Sequence, residues 1–110
     1  MEARIAFIDT TTVDSRDVIP GYHGVFIHSD NMTIAHWRIE AGAELPEHSH
    51  RHEQIVNVIE GEFELAIDED MERVGPGGVA VIPSHVKHAG RALTACRIID
   101  VFYPMREDYA

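Results

Sequence analysis

Two histidine-rich stretches, HSHRHEQ at residues 48–54 and PSHVKH at residues 83–88, decide how this chain folds. His48 and His50 are two residues apart, so on an extended segment both side chains point to the same face. Polar groups that face the interior of a barrel must be satisfied, and one divalent ion satisfies several imidazoles at once. The pair therefore predicts a metal site inside a β-structure.

The sequence around these stretches has the pattern of an all-β protein. Short runs rich in Val, Ile and Phe alternate with Gly, Pro and Asp turns, whereas helical periodicity is weak throughout. The predicted strands are 24–29, 32–39, 54–60, 62–68, 79–82, 88–93 and 96–103, with one further edge strand before Pro20. Their even spacing predicts a sandwich or barrel.

Local patterns define the direction of side chains and the turns between strands. Phe63, Leu65 and Ile67 alternate with acidic residues, which predicts an apolar face inward and an acidic face outward. The acidic residues 68–70 predict a solvated hairpin tip rather than a cation site, and residues 75–78 predict a turn. With 110 residues and no linker, we expect a single domain spanning 1–110.

Charge and cysteine content exclude several classes of partner. Nine basic residues against 19 acidic ones give a formal net charge of −10, the opposite of what binds nucleic acid or an anionic membrane surface. No apolar run approaches the ~18 residues of a membrane-spanning helix. Cys96 is the only cysteine, which excludes an intramolecular disulfide and predicts a reducing, cytoplasmic location. Its neighbours, Ala95 and the run Arg97 to Val101, predict a buried thiol in a strand.

The spacing of both histidine stretches resembles the two motifs of the cupin family. The first motif is matched by Gly42, His48, His50, Gln54 and Gly61, and the second by Gly77, Pro83 and His88. The resemblance implies a double-stranded β-helix, or jelly-roll, and one divalent metal ion held by His48, His50, Gln54 and His88. Such a site accepts Zn, Ni, Fe, Mn or Cu, between which the sequence does not choose.

The sequence departs from the cupin pattern at two positions. Gln54 stands where the family most often has Glu, and His85 stands where it usually has Gly. His52 is the main rival ligand should Gln54 not bind, and His85 has two open placements, in the pocket or on the surface. Three histidines outside both stretches are interpreted as ordinary core or surface residues: His23, His28 and His36.

A neutral ligand set predicts Lewis acid chemistry. Three neutral imidazoles and one amide leave the double positive charge of the ion uncompensated, whereas a carboxylate ligand would cancel half of it. We therefore expect an anionic, oxygen-donating substrate. An ion of this kind stabilises negative charge on a substrate oxygen in the transition state.

The end of the chain resembles that of KdgF-type cupins, in which a pocket Asp, Phe and Arg fall on Asp100, Phe102 and Arg106 of this sequence. The resemblance implies a catalytic role for these three residues and the opening of 4,5-unsaturated uronate monomers, left by pectin and alginate breakdown, to linear 5-keto-4-deoxyuronate. A buried Asp100 would be costly without a partner, so a functional placement competes with an outward one.

Two other functions and the oligomeric state stay open. A cupin dioxygenase, or another metal-dependent lyase or isomerase, would use the same ligands, and a non-catalytic cupin would bind a sugar acid without turnover. We expect a homodimer by analogy with small cupins, with Val25, Ile27, Ile34 and Trp37 as candidates for the interface. For Trp37 the alternative is packing in the core.

Overall fold

The computed structural model describes residues 5–110, which form two antiparallel sheets around one hydrophobic core. Residues 1–4 of the predicted domain lie outside the described part. The strands are β1 (Arg16–Ile19), β2 (Tyr22–His28), β3 (Thr33–Ile39), β4 (Glu44–His48), β5 (Glu53–Glu60), β6 (Phe63–Ile67), β7 (Asp70–Val74), β8 (Val79–Ile82), β9 (His88–Ala92) and β10 (Cys96–Tyr103). Short 3-10 turns span Thr10–Thr12 and Glu107–Tyr109.

The strand order is that of a jelly-roll, as predicted. The larger sheet has the order β1-β2-β3-β10-β5-β8, and the smaller sheet has the order β4-β9-β6-β7. The last strand, β10, therefore lies between β3 and β5 in the middle of the larger sheet. Its burial alternates along the strand, which sends Ile98, Asp100 and Phe102 into the interior. This alternation places a carboxyl group among apolar core residues.

All seven predicted strands and the predicted edge strand are present, and the ends of the seven differ from the prediction by at most two residues. Two strands, β4 and β7, were not predicted. β4 has the sequence ELPEH, in which Pro46 and two glutamates hide the apolar alternation. β7 is an edge strand whose first four residues are all exposed, so burial imposes no pattern on it.

The predicted turns and the buried thiol are confirmed. Ile67 pairs with Asp70, so Asp68 and Glu69 form the tip of a hairpin, with Asp68 at a φ of 53°. Cys96 is a free, buried cysteine at the start of β10, and burial raises the pKa of its thiol.

Among the described residues, no helix has the length and apolar character needed to span a membrane.

Gly61, in the turn between β5 and β6, allows a close approach of two backbone segments. Its φ is +87°, and a Cβ atom built there would lie 2.2 Å from the carbonyl oxygen of Ala95. Gly42 has a similar φ of +84°, but a Cβ atom built there meets no atom within 4 Å. The two glycines thus share the backbone constraint and differ in the space around them.

We expect Gly61→Ala to destabilise the protein more than Gly42→Ala. A positive φ costs a non-glycine residue ~1–2 kcal/mol in both variants. Overpacking against the Ala95 carbonyl adds a further ~1–3 kcal/mol to the free-energy cost in Gly61→Ala alone. Urea unfolding of both variants measures this difference, and equal losses of unfolding free energy would contradict the close approach.

Candidate metal centre

Three histidine side chains converge at one end of the barrel. His48 ends β4 and His88 begins β9, where the two residues are cross-strand partners, while His50 lies in the loop before β5. One ring nitrogen from each histidine lies within 4.8 Å of the others. The ring centroids of His48 and His88 are 4.2 Å apart, and those of His50 and His88 are 4.9 Å apart.

The backbone sets which nitrogen of each imidazole faces the cluster. Nδ1 of His48, His50 and His88 lies 2.9–3.0 Å from the carbonyl oxygens of Pro46, His52 and Val86, respectively. Because a carbonyl oxygen only accepts hydrogen bonds, each Nδ1 carries the proton and each Nε2 keeps its lone pair. Nε2 of His88 is buried and has no hydrogen-bond partner. These lone pairs fit a divalent transition metal.

Gln54 adds an amide oxygen to the same group. It is the second residue of β5, it is buried, and its Oε1 lies 3.1 Å from Nε2 of His50. Two acceptors at this distance repel each other unless a cation lies beside them. The other end of the amide faces Asp100, whose carboxyl group only accepts hydrogen bonds when it is ionised. Gln54 therefore fits as a fourth ligand.

Burial keeps the imidazoles of His50 and His88 neutral. Desolvation, followed by the positive charge of Arg106, lowers the pKa of His50 to about 4. Desolvation also lowers the pKa of His88. Neutral imidazoles bind metal ions, whereas protonated ones do not. His50 and His88 are therefore in their ligand form at neutral pH.

Asp100 points into the barrel beside Gln54, which corrects the alternative that it lies outward. Burial raises the pKa of its carboxyl group to about 6, while Gln54, the Trp37 indole and Arg106 oppose that shift. Nε1 of Trp37 donates a hydrogen bond of 3.0 Å to Oδ2 of Asp100. Trp37 is itself only 7% exposed, so it belongs to the core and not to an outer interface.

Arg106 is fixed on three sides. Its Cζ lies 4.7 Å from the centre of the Phe102 ring and 4.2 Å from that of Tyr109. Its Nε and Nη2 donate to the two oxygens of Asp108 at 2.9 and 2.7 Å. The sequence analysis did not single out Asp108, although an arginine and an aspartate two residues apart indicate a possible ion pair. The aromatic rings and Asp108 hold the guanidinium group close to the histidine cluster.

An open cavity of about 320 Å³ leads to this group of residues. One part of its wall is apolar and comes from β1 and β4, and the other carries the polar groups and aromatic rings described above. The lining residues are Val18, Ile19, Tyr22, Trp37, Leu45, Pro46, His48, Gln54, Asp100, Phe102, Arg106, Asp108 and Tyr109. Tyr22 and Tyr109 gave no signal in the sequence, because a tyrosine in a strand or near a terminus is unremarkable.

The remaining histidines lie outside the cluster. His52 is buried, but its Nε2 lies 3.7 Å from Oε2 of Glu107, and its ring is not part of the three-histidine group. His85 is exposed, which decides between its two open placements in favour of the surface. His23 contacts Asp17 and Glu40 on the surface, and His28 forms a hydrogen bond with Oγ1 of Thr33.

All seven site residues of the sequence analysis, by contrast, lie in or next to the cavity.

The fold and the convergent imidazoles define a small jelly-roll barrel with a metal-binding cluster. A family model described as a cupin domain matches residues 35–102, more than half of the chain. The chain therefore belongs to the cupin family. The sequence has no match among curated proteins.

Solved structures agree with this assignment. KdgF from Halomonas sp. is 30% identical, with a TM-score of 0.91 over 97% of this chain and 100% of that chain. An RmlC-like cupin from Shewanella frigidimarina NCIMB 400 is 28% identical, with a TM-score of 0.91 over 100% of both chains. A single-residue variant of oxalate decarboxylase from Bacillus subtilis, at 18% identity and a TM-score of 0.80, covers 94% of this chain and 31% of that chain and shows the fold alone.

We expect His88→Ala to lose metal binding and His52→Ala to keep it. Removing one of three converging lone pairs lowers the affinity of the cluster, whereas the ring of His52 lies outside it. Calorimetric titration of the metal-free protein with Zn²⁺ measures both affinities. A tight site that survives in His88→Ala and disappears in His52→Ala would reverse the choice of ligands.

Proposed function

We propose that this cupin is a metal-dependent enzyme that opens the ring of 4,5-unsaturated uronate monomers to give linear 5-keto-4-deoxyuronate. We further propose that His48, His50, Gln54 and His88 hold the metal and that Asp100, Phe102 and Arg106 act on the substrate. The support is the resemblance of the chain's end to KdgF-type cupins and the similarity to KdgF from Halomonas sp. over nearly all of both chains.

The observation that carries the proposal is the position of Asp100. A buried carboxyl group lies beside the proposed ligand Gln54 and lines the same cavity as the guanidinium group of Arg106. A base and a cation on one cavity wall are what a proton transfer within an anionic substrate requires. A divalent metal, when bound, supplies Lewis acidity toward the oxygens of the substrate.

The proposed reaction moves one proton and breaks one bond. Asp100 takes the proton of the anomeric hydroxyl group, a C=O double bond forms at the anomeric carbon, and the bond from that carbon to the ring oxygen breaks. The electron pair of the broken bond leaves as an enolate, whose alkene carbon C4 takes up one proton. Substrate and product are isomers, so no oxidant or further reactant is needed.

Two side chains position the substrate in this proposal. Arg106 contacts the substrate carboxylate through the N–H groups that Asp108 does not occupy, because a guanidinium group has five donors. Phe102 is 2% exposed, covers one face of that guanidinium group and has its ring centre 5.8 Å from that of His50. It therefore forms the wall between the cation and the histidine cluster.

The oxidative and the non-catalytic alternatives have less support. The oxalate decarboxylase similarity, at 18% identity, shows the fold alone and brings no activity to this chain. A protein that only binds a sugar acid needs the cation of Arg106, but it has no use for a buried base beside the metal cluster. Ring opening uses both groups.

We expect Asp100→Asn to lower the rate of ring opening ~10²- to 10⁴-fold while metal binding is kept, because asparagine cannot accept the proton. The loss of ultraviolet absorbance of the conjugated double bond follows the reaction, and the spontaneous rate is subtracted. Asp14→Asn, on the exposed surface, is the matched control and should keep full activity. If the wild-type protein adds nothing to the spontaneous rate with Zn, Ni, Fe, Mn or Cu, the proposed function is wrong.

We also propose that the protein is a homodimer that buries the outer face of the larger sheet. One row of cross-strand partners on this face is apolar on five consecutive strands, and it consists of Ile27, Ile34, Val101, Ile55 and Val81. Val81 and the neighbouring Val79 are 61% and 59% exposed. A continuous apolar row of this kind marks an interaction surface. Val25, Ile27 and Ile34 from the sequence analysis point to this face, and Trp37 does not.

We expect sedimentation to show a dimer for the wild-type protein and a monomer for Val81→Lys. The lysine would place a charge in an apolar interface, while the exposed position tolerates it in the separate barrel. Met71→Lys is the matched control, because Met71 is 63% exposed on β7 of the smaller sheet. A monomeric wild type, or equal effects of both substitutions, would contradict this interface.

A further inference from the structure

Two polar atoms deep in the barrel have no hydrogen-bond partner although each needs one. The hydroxyl oxygen of Tyr22 and Oδ1 of Asp100 are both buried and unpartnered. Tyr22 is 5% exposed and Asp100 is 8% exposed, and the two oxygen atoms are themselves buried. An unsatisfied buried polar group costs ~1–3 kcal/mol, so two such groups in one place call for an explanation.

The two groups are complementary. A tyrosine hydroxyl donates a hydrogen bond, and a carboxyl oxygen accepts one. Burial, followed by the negative charge of Asp100, raises the pKa of Tyr22, which keeps the hydroxyl protonated. Trp37 connects the two residues, because its ring packs edge-on against that of Tyr22, with centres 5.6 Å apart, and its Nε1 donates to the other oxygen of Asp100.

A small inner cavity lies next to both residues. It has a volume of about 20 Å³, and the polar residues in its wall are Tyr22, Gln54, His88 and Asp100. One water molecule needs ~10–15 Å³ and two to four polar partners. The cavity therefore has room for a single water and the partners to hold it.

We propose that Tyr22 is a positioning residue that holds Asp100 through one internal water in this cavity. The water accepts a hydrogen bond from the Tyr22 hydroxyl and donates one to Oδ1 of Asp100. Trp37 holds Oδ2 directly, so the carboxylate is fixed through both oxygens. The reactive orientation of the proposed base thus depends on a tyrosine in β2, far from both histidine motifs in the sequence.

This role rests on the proposed function for its catalytic consequence but not for the water itself. A carboxylate fixed through the water as well meets the substrate proton in one geometry, whereas a carboxylate that keeps only the Trp37 indole and the Gln54 amide is freer to rotate about its Cβ–Cγ bond. The loss should therefore affect the chemical step more than substrate binding.

A high-resolution crystal structure of the metal-loaded wild-type protein tests the water directly. We expect one ordered water within hydrogen-bond distance of both the Tyr22 hydroxyl and Oδ1 of Asp100, and its loss or displacement in Tyr22→Phe. The variant keeps the ring that packs against Trp37, so the barrel should fold. The absence of a water from the wild-type cavity would overturn the proposal, whether or not the protein opens uronate rings.

Kinetics test the positioning role. We expect Tyr22→Phe to lower kcat ~10- to 100-fold, because a catalytic group that is no longer held in its reactive geometry acts more slowly, with KM and Zn²⁺ affinity changed less than about twofold. Tyr103→Phe is the matched control, since Tyr103 is 54% exposed and lies outside both cavities. Unchanged kcat in Tyr22→Phe, or an equal loss in Tyr103→Phe, would overturn the role. An inactive wild type would instead refute ring opening and leave the crystallographic result to decide on the water.

Discussion

The hydrogen bonds from three histidine Nδ1 atoms to backbone carbonyl oxygens are the constraint on which the rest of the site depends. Each carbonyl lies two residues from its histidine, so local backbone geometry alone fixes the tautomer and turns Nε2 toward the cluster. The sheets then bring the three positions together, because His48 and His88 are cross-strand partners in β4 and β9. Burial lowers the pKa of His50 and His88, which keeps these lone pairs available. Fold and ligand chemistry are therefore parts of one arrangement.

The buried carboxyl group of Asp100 explains why a neutral amide, and not a carboxylate, stands at position 54. Asp100 lies buried beside Gln54, and a glutamate at that position would put two carboxylates in a site of low polarity. An amide instead offers its N–H group to the Asp100 side and its oxygen to His50. In the proposed reaction this choice separates two tasks, because the proposed ligands are neutral while a single carboxylate, Asp100, remains for proton transfer. It also leaves the charge of a bound divalent ion uncompensated.

The sequence predicts those parts of the structure that a local pattern encodes. Burial on one face gives β6 and β10 their alternation, and motif spacing brings out His48, His50, Gln54 and His88. It does not reveal β4 or β7, because one carries a proline and the other an exposed edge without an apolar face. Nor does it reveal Tyr22, whose importance comes from a cavity shared with a residue 78 positions later in the chain, Asp100. Contacts of that kind depend on the packing of the sheets and leave no spacing to recognise.

Because the chain has a formal net charge of −10, any attraction for an anion has to come from groups within the cavity. Repulsion by the surface charges is screened beyond ~8 Å at physiological salt, so groups closer than that decide the local field. Arg106 is one such group, but Asp108 neutralises one edge of its guanidinium group and leaves a partial attraction. In the proposed site, a divalent ion held by four neutral ligands would contribute two positive charges that no ligand compensates. With the proposed ligand set, the metal, more than the arginine, would therefore be the source of selectivity for a negatively charged substrate.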